Sequence, residues 1–324
     1  VVQVDAPLTL TVGRQDIILE DGWLVLDGTP LDGSRTIFFD AARLQVELKD
    51  IKTSINLIYI DQHSDLSDRC KPFNDRDKAV IEQDEVGAIL YVANKSLKDI
   101  ELDAFYMYKN NTPELANGDD SDLHTFGARI AGSIGEHWQY RGTIAQQLGH
   151  RFGNDVCALG ANTRLTYLFN DKWKNQLRVG YEFLSGDDPG TNTDEHFDLL
   201  WGRWPQFSEL YVYSFINETR VADVTNLHRV GFGWTADPTD KIQLCADYHL
   251  LFADENTRRG VAGPMLFSDS GCFRGQLLTL LLRYKFNPHV YGHVLSEFFF
   301  PGDYYKDANN DPAVFLRFEL TLAW

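Results

Sequence analysis

The stretch Gln276–Phe286 (QLLTLLLRYKF), Asn287-Pro288-His289, Val290–Phe300 (VYGHVLSEFFF) decides the fold. In its first half Leu278, Leu280, Leu282, Tyr284 and Phe286 share one face. A three-residue turn follows, and the chain returns. After the polar loop from Pro301 to Pro312 comes Ala313–Trp324 (AVFLRFELTLAW). There Leu316, Phe318, Leu320, Leu322 and Trp324 alternate with Arg317, Glu319 and Thr321. A period of two is the mark of a strand. These segments run to about eleven residues, whereas globular strands average about five or six and strands that cross a bilayer need about nine to eleven.

Working back towards the N-terminus, the same rhythm repeats. Tight turns at 135–137, 170–172 and 237–240 alternate with long polar loops such as 63–85. Short turns on one side and long loops on the other describe an outer-membrane β-barrel, with the turns in the periplasm. Fourteen complete strands are expected, from Leu8–Leu19 to Ala313–Trp324, in one all-β, antiparallel, up-and-down domain over residues 1–324. Val1–Val4 resembles the end of a further strand, so more are expected before it. The segment 186–226 contains a strand-like run, Glu209–Phe215. Counting it would move the tight turn at 237–240 to the wrong side, so 186–226 is read as one long outer loop that can fold into the lumen.

Composition agrees with that reading. The 324 residues are 44% hydrophobic with a mean hydropathy of −0.30, and no run is apolar enough for a membrane helix. Barrels look soluble by this measure because lipid-facing and lumen-facing residues alternate. Aromatic residues near strand ends, such as Trp138, Tyr140, Trp173, Trp234 and Trp324, suit the two interfacial girdles. The N-terminus has no basic start with an apolar run, so no signal peptide is read there. A net charge of −17 argues against nucleic acid as a partner. The acids gather in the outer loops, eight between Asp61 and Glu85 and six between Asp187 and Glu209. Cys70 and Cys272 fall on loops of the same side, where a disulfide or two thiols both fit.

Alternation also assigns a lumen face. Arg14, Arg43, Arg129, Arg141, Arg164, Arg178, Arg229, Arg283, Lys285 and Arg317 are read on the polar faces, with Glu47, Asp103, Glu182, Asp247, Glu297 and Glu319. An excess of arginine favours anions, because the guanidinium fork suits carboxylates. The alternative is that these arginines pair with neighbouring acids in a solvated interior. Catalytic motifs are missing, and no residue set is read as catalytic, cofactor-binding or metal-binding. His249 and His293 lack ligand spacing. Asp307-Ala-Asn309-Asn-Asp311 starts like a calcium loop, but Pro312 replaces the required glycine. A structural barrel with cation-holding loops, a lipase-like barrel and a soluble lectin are the competing classes.

Short motifs in one order along the chain resemble the alginate-export family of outer-membrane porins. They are Gly13-Arg14-Gln15, Phe39-Asp40-Ala41-Ala42-Arg43-Leu44, Ser185-Gly186-Asp187, Trp201-Gly202-Arg203-Trp204-Pro205-Gln206, Thr225-Asn226-Leu227, Arg274-Gly275-Gln276 and Phe300-Pro301-Gly302-Asp303. The resemblance implies a monomeric barrel of about eighteen strands, in lipid and lipopolysaccharide, passing an anionic polysaccharide or a related anion and open to periplasmic partners. It also implies that Arg14, Arg43 and Arg203 face the pore. Leu277 and Leu278 stand where the family commonly has acids.

Overall fold

In a computed structural model, residues 7–26, 38–64, 83–116, 118–202, 206–213, 224–257 and 267–324 are described. Fourteen strands occur among them: β1 (Leu8–Gln15), β2 (Phe39–Leu48), β3 (Thr53–Gln62), β4 (Gln83–Asn94), β5 (Ile100–Pro113), β6 (Ser121–Ile134) and β7 (Trp138–Arg151). The second half holds β8 (Asn154–Leu168), β9 (Gln176–Leu184), β10 (Leu227–Thr239), β11 (Ile242–Phe252), β12 (Phe273–Asn287), β13 (Val290–Pro301) and β14 (Ala313–Leu322). Each strand pairs antiparallel with the next in one sheet, ordered as in the sequence. No pairing joins β1 to β14 among the described residues. No described helix is long and apolar enough to cross a membrane.

The alternation sorts the two faces. Leu8, Leu10 and Val12 of β1 and Leu316, Phe318 and Leu320 of β14 stand exposed on the outer face. Ile130, Ile144, Leu165, Val179, Phe232 and Leu282 continue that band across the sheet. An apolar face this wide is a lipid-facing surface. Near the short turns it ends in rings: Trp138 lies 4.8 Å from Tyr167, which lies 5.0 Å from Phe169. The turns are locally built. Asp171 accepts hydrogen bonds from the backbone N–H of Trp173 and Asn175, and Asn170 and Lys174 take left-handed φ values of 55° and 48°.

Several strands run past their alternating cores. β4 starts at Gln83, β6 at Ser121 and β12 at Phe273, because the backbone ladder continues where the wall leaves the bilayer and side chains no longer need to be apolar. β1 is shorter than the expected Leu8–Leu19. After Gln15 the chain turns inward, and Ile17 and Leu19 are buried. The strand-like run at 209–215 contains a short helix, α1 (Glu209–Tyr213).

Candidate functional site

Two segments fill the concave side of the sheet. Residues 16–26 follow β1, and residues 185–202 and 206–213 follow β9. They pair with each other: Trp201 N–H donates to the Leu24 carbonyl, Leu26 N–H to the Trp201 carbonyl, and Trp23 stacks on Phe197 with ring centroids 5.7 Å apart. The wall makes room for these rings. A Cβ on Gly87 would lie 2.5 Å from Trp201, and one on Gly160 would lie 2.6 Å from Phe197. Apolar inward residues, among them Ile60, Ile89, Phe105 and Leu123, complete one core with Val25, Leu200 and Trp201. Leu277, at a position that is commonly acidic in the resembled family, is buried in this core.

Charged groups rivet the two segments to the wall. Glu20, itself left-handed at φ 57°, accepts hydrogen bonds from Tyr91 (2.9 Å) and Thr143 (3.1 Å) and pairs with Arg129 at 3.4 Å. Arg129 also holds Asp103 at 2.7 Å. Asp21 pairs with Arg141. Trp23 Nε1 donates to Glu182 (2.9 Å), whose other oxygen takes Arg229 at 2.8 Å. On the second segment Arg151 pairs with Asp194 at 3.0 Å and with Asp198 at 3.5 Å. Lys109 reaches the Leu200 carbonyl, and Trp201 Nε1 donates to Glu85. Glu297 accepts from the Ser208 hydroxyl and from the Leu210 N–H. Burial works against the Asp194 carboxylate, but His196 and Arg151 outweigh it and hold its pKa down at about 2.

The expected arginines divide. Arg43, Arg129, Arg141, Arg164, Arg178, Arg229, Arg283 and Arg317 have inward register. Arg178 bonds Thr235 and Asp247, and Arg317 meets Glu209 at 3.1 Å and His293 at 3.1 Å. Arg43 and Arg283 have neutral partners, Asn56 and Gln243. Arg164 is exposed to the interior, opposite Arg141, and makes no hydrogen bond or ion pair among the described residues.

Arg14 is a correction. It pairs in register with Asp40 and shares the outer face of Leu8, Leu10 and Val12; its side chain is 53% exposed and salt-bridged to Asp40 at 2.8 Å. Gly13 does not reverse the alternation, so the arginine ends up outside, with its charge matched by Asp40 and its plane 3.9 Å above the Phe38 ring. Arg203 and Cys70 lie outside the described residues. Arg151 was not among the expected residues, although counting by twos from Arg141 along β7 reaches it. One group of potential metal ligands occurs among the described residues, Asp187, Asp194 and His196, with ligand atoms within 4.8 Å of one another. There the Arg151 guanidinium already holds Asp194.

Three connected cavities follow the wall from β7 to β14. A space of about 240 Å³ lies under Trp23 and Phe207, against Arg141, Arg164 and Arg229. It shares Arg141, Arg164 and Arg229 with a second of about 530 Å³, which reaches Arg178 and Arg283. That one shares Gln243 and Arg283 with a third of about 1070 Å³ at the turn end. Acids share these linings: Asp21 and Glu182 in the first, Glu209, Asp247 and Glu297 in the second, and Asp237, Asp240 and Glu319 in the third.

Comparisons with known proteins agree with this architecture. Pseudomonas aeruginosa OccK11 (OpdR) superposes with a TM-score of 0.57 at 15% identity, over 97% of this chain and 76% of that one. Pseudomonas aeruginosa OccK5 (OpdH) gives 0.56 at 14% identity, over 98% and 78%. Both likenesses concern the fold, a porin barrel. A comparison with curated proteins finds no match. The family model for alginate export matches residues 2–315. The chain therefore belongs to the alginate export family, and it is an outer-membrane β-barrel channel.

Proposed function

We propose that this channel passes anionic solutes, with a polyuronate-type polysaccharide as the leading candidate, along the arginine track between β7 and β14. The observation that carries the proposal is Arg164. Most inward arginines are matched to acids, but Arg164 is exposed at the junction of two cavities, flanked by Arg141, Arg178 and Arg229. A carboxylate there would meet an uncommitted planar fork, the geometry that suits it best. The family's export role and the porin fold support the same reading.

The barrel wall of this proposal includes more than the described strands. β1 and β14 each have one unpaired edge, and open edges are what barrel closure removes. The chain aligns with 76% and 78% of the matched channels, and the family resemblance implies about eighteen strands in the closed wall. Within it, the segments 16–26 and 185–202, with 206–213, form the constriction. A second reading is a structural barrel that these segments shut, favoured by the buried packing of Trp201 and Phe197.

The test is the reversal potential of single channels in a salt gradient. An anion preference supports the proposal. A cation preference overturns the anionic solute, and no conductance even after deletion of residues 186–202 leaves the structural barrel.

A further inference from the structure

The cavity at the turn end has a chemistry of its own. Its lining carries Lys172 and Lys174 from the β8–β9 turn, Lys241 from the β10–β11 turn, Lys285 and Arg283 from β12, and Arg317 from β14. Three acids, Asp237, Asp240 and Glu319, line it as well. Lys174 lies 4.0 Å from Asp237. Lys172, Lys241 and Lys285 have no acid within ion-pair distance among the described residues. The bias extends around this end of the barrel. Lys49, Lys52, Lys95 and Lys98 sit on the first two turns beside Asp50 and Asp99, with Lys95 paired to Glu101 at 3.4 Å, so eight of the chain's twelve lysines lie at the turn end. The opposite, loop end carries Asp61, Asp84, Asp119, Asp120, Asp187, Asp188 and Glu195 among the described residues.

The two cation types are also sorted by depth. Lysines occupy the mouth and arginines the track behind it. A lysine is a mobile point charge that attracts an anion without fixing its orientation; an arginine is a planar fork that reads carboxylate geometry. An excess of one sign in a concavity, here six cations against three acids, focuses the field and raises the on-rate of an oppositely charged ligand by about 10- to 1000-fold, with a steep dependence on salt.

We propose that this lysine vestibule is a capture site for polyvalent carboxylates arriving from the periplasm, which hands them to the arginine track at Arg283. The inference rests on the anion-channel reading and adds a side to it. The acidic loops repel a polyanion at the outer mouth, and the vestibule gathers it at the inner one. Capture depends on charge and not on hydrogen-bond geometry, so arginine can replace lysine at these positions.

The experiment is side-resolved block of single-channel current by an oligogalacturonate, in bilayers where the orientation of the barrel has been assigned. In the wild type, block from the turn side has an on-rate at least about tenfold above that from the loop side, and that on-rate falls as KCl rises. The combined K172Q/K174Q/K241Q/K285Q variant lowers the turn-side on-rate by about tenfold, and the matching lysine-to-arginine variant restores it. Equal on-rates from both sides in the wild type, or a glutamine variant that blocks at the wild-type rate, overturn the capture site. If those results come with anion preference intact, only the vestibule is lost. If anion preference and block are both missing, the channel reading falls with it.

Discussion

Arg129 and Arg164 stand on the same inner face, two strands apart, and have opposite circumstances. Arg129 is almost enclosed, between Asp103 at 2.7 Å and Glu20 at 3.4 Å, where it fastens the inward segment to the wall. Arg164 opens into two cavities, which Asp21 and Asp247 also line, and makes no ion pair among the described residues. The same contrast separates whole regions. Across β4–β7 the inward cations Lys109, Arg129, Arg141 and Arg151 hold the two segments that fill the lumen, whereas towards the turn end Arg164 has no ion pair, Arg283 has a neutral partner, and Lys172, Lys241 and Lys285 have no acid at ion-pair distance among the described residues. The number of arginines in a lumen is therefore a poor guide to anion affinity. What matters is how many remain once the loops have been anchored.

The largest effect is expected at the matched arginine. Arg129→Ala leaves the carboxylates of Asp103 and Glu20 in a closed space with no cation, and breaking a buried pair of this kind costs about 3–5 kcal/mol. Thermal unfolding of the detergent-solubilised barrel should show it, and a variant with wild-type stability would break the contrast. Gly87→Val comes next. Its side chain meets the Trp201 ring, and overpacking costs about 1–3 kcal/mol. Raised hydrogen exchange in residues 197–202 is the expected sign that the segment has been pushed off the wall.

The anchor at Asp194 adds a pH dependence. Its pKa of about 2 is below the ordinary 3.8, so its stabilisation is present above that ordinary value and disappears as pH falls through about 2. Burial opposes the charged form of His196, yet Asp194 outweighs it and raises the imidazole above 6.5. The histidine contribution is complete below 6.5 and is lost as pH rises through the raised value. Exchange protection of residues 186–198 should therefore be greatest between 3.8 and 6.5. Protection that climbs steadily from acid to alkaline pH would contradict this. The smallest effect belongs to Arg14→Ala. An exposed pair such as Arg14–Asp40 contributes about 0–1 kcal/mol, so stability should barely change.

The strands were legible because period-two alternation survives without any tertiary context. Leu316, Phe318 and Leu320 read outward in the sequence and stand outward in the structure. Their ends were less legible, since polar residues such as Asn111 and Asp122 continue the ladder beyond the lipid. Arg14 shows how a charge misleads: its place in Leu8-Thr-Leu-Thr-Val-Gly-Arg14 puts it with the leucines, and the alternation outranks the polarity. Residues 16–26 were hardest. Asp21-Gly22 and Asp27-Gly28 look like surface turns, yet Ile17, Trp23, Leu24 and Val25 are buried. An apolar cluster inside a turn-rich loop is the signal that the loop packs against something. The pairing of Glu20 with Arg129 crosses several strands and leaves no local trace in sequence.

The most direct test compares the anion-to-cation permeability ratio of the wild type with those of Arg164→Ala and Arg14→Ala, from reversal potentials in one salt gradient. The account predicts an anion-preferring wild type, a fall of roughly twofold or more for Arg164→Ala, and no change for Arg14→Ala. An Arg164→Ala channel as selective as the wild type, or a loss of selectivity on removing Arg14, would contradict it.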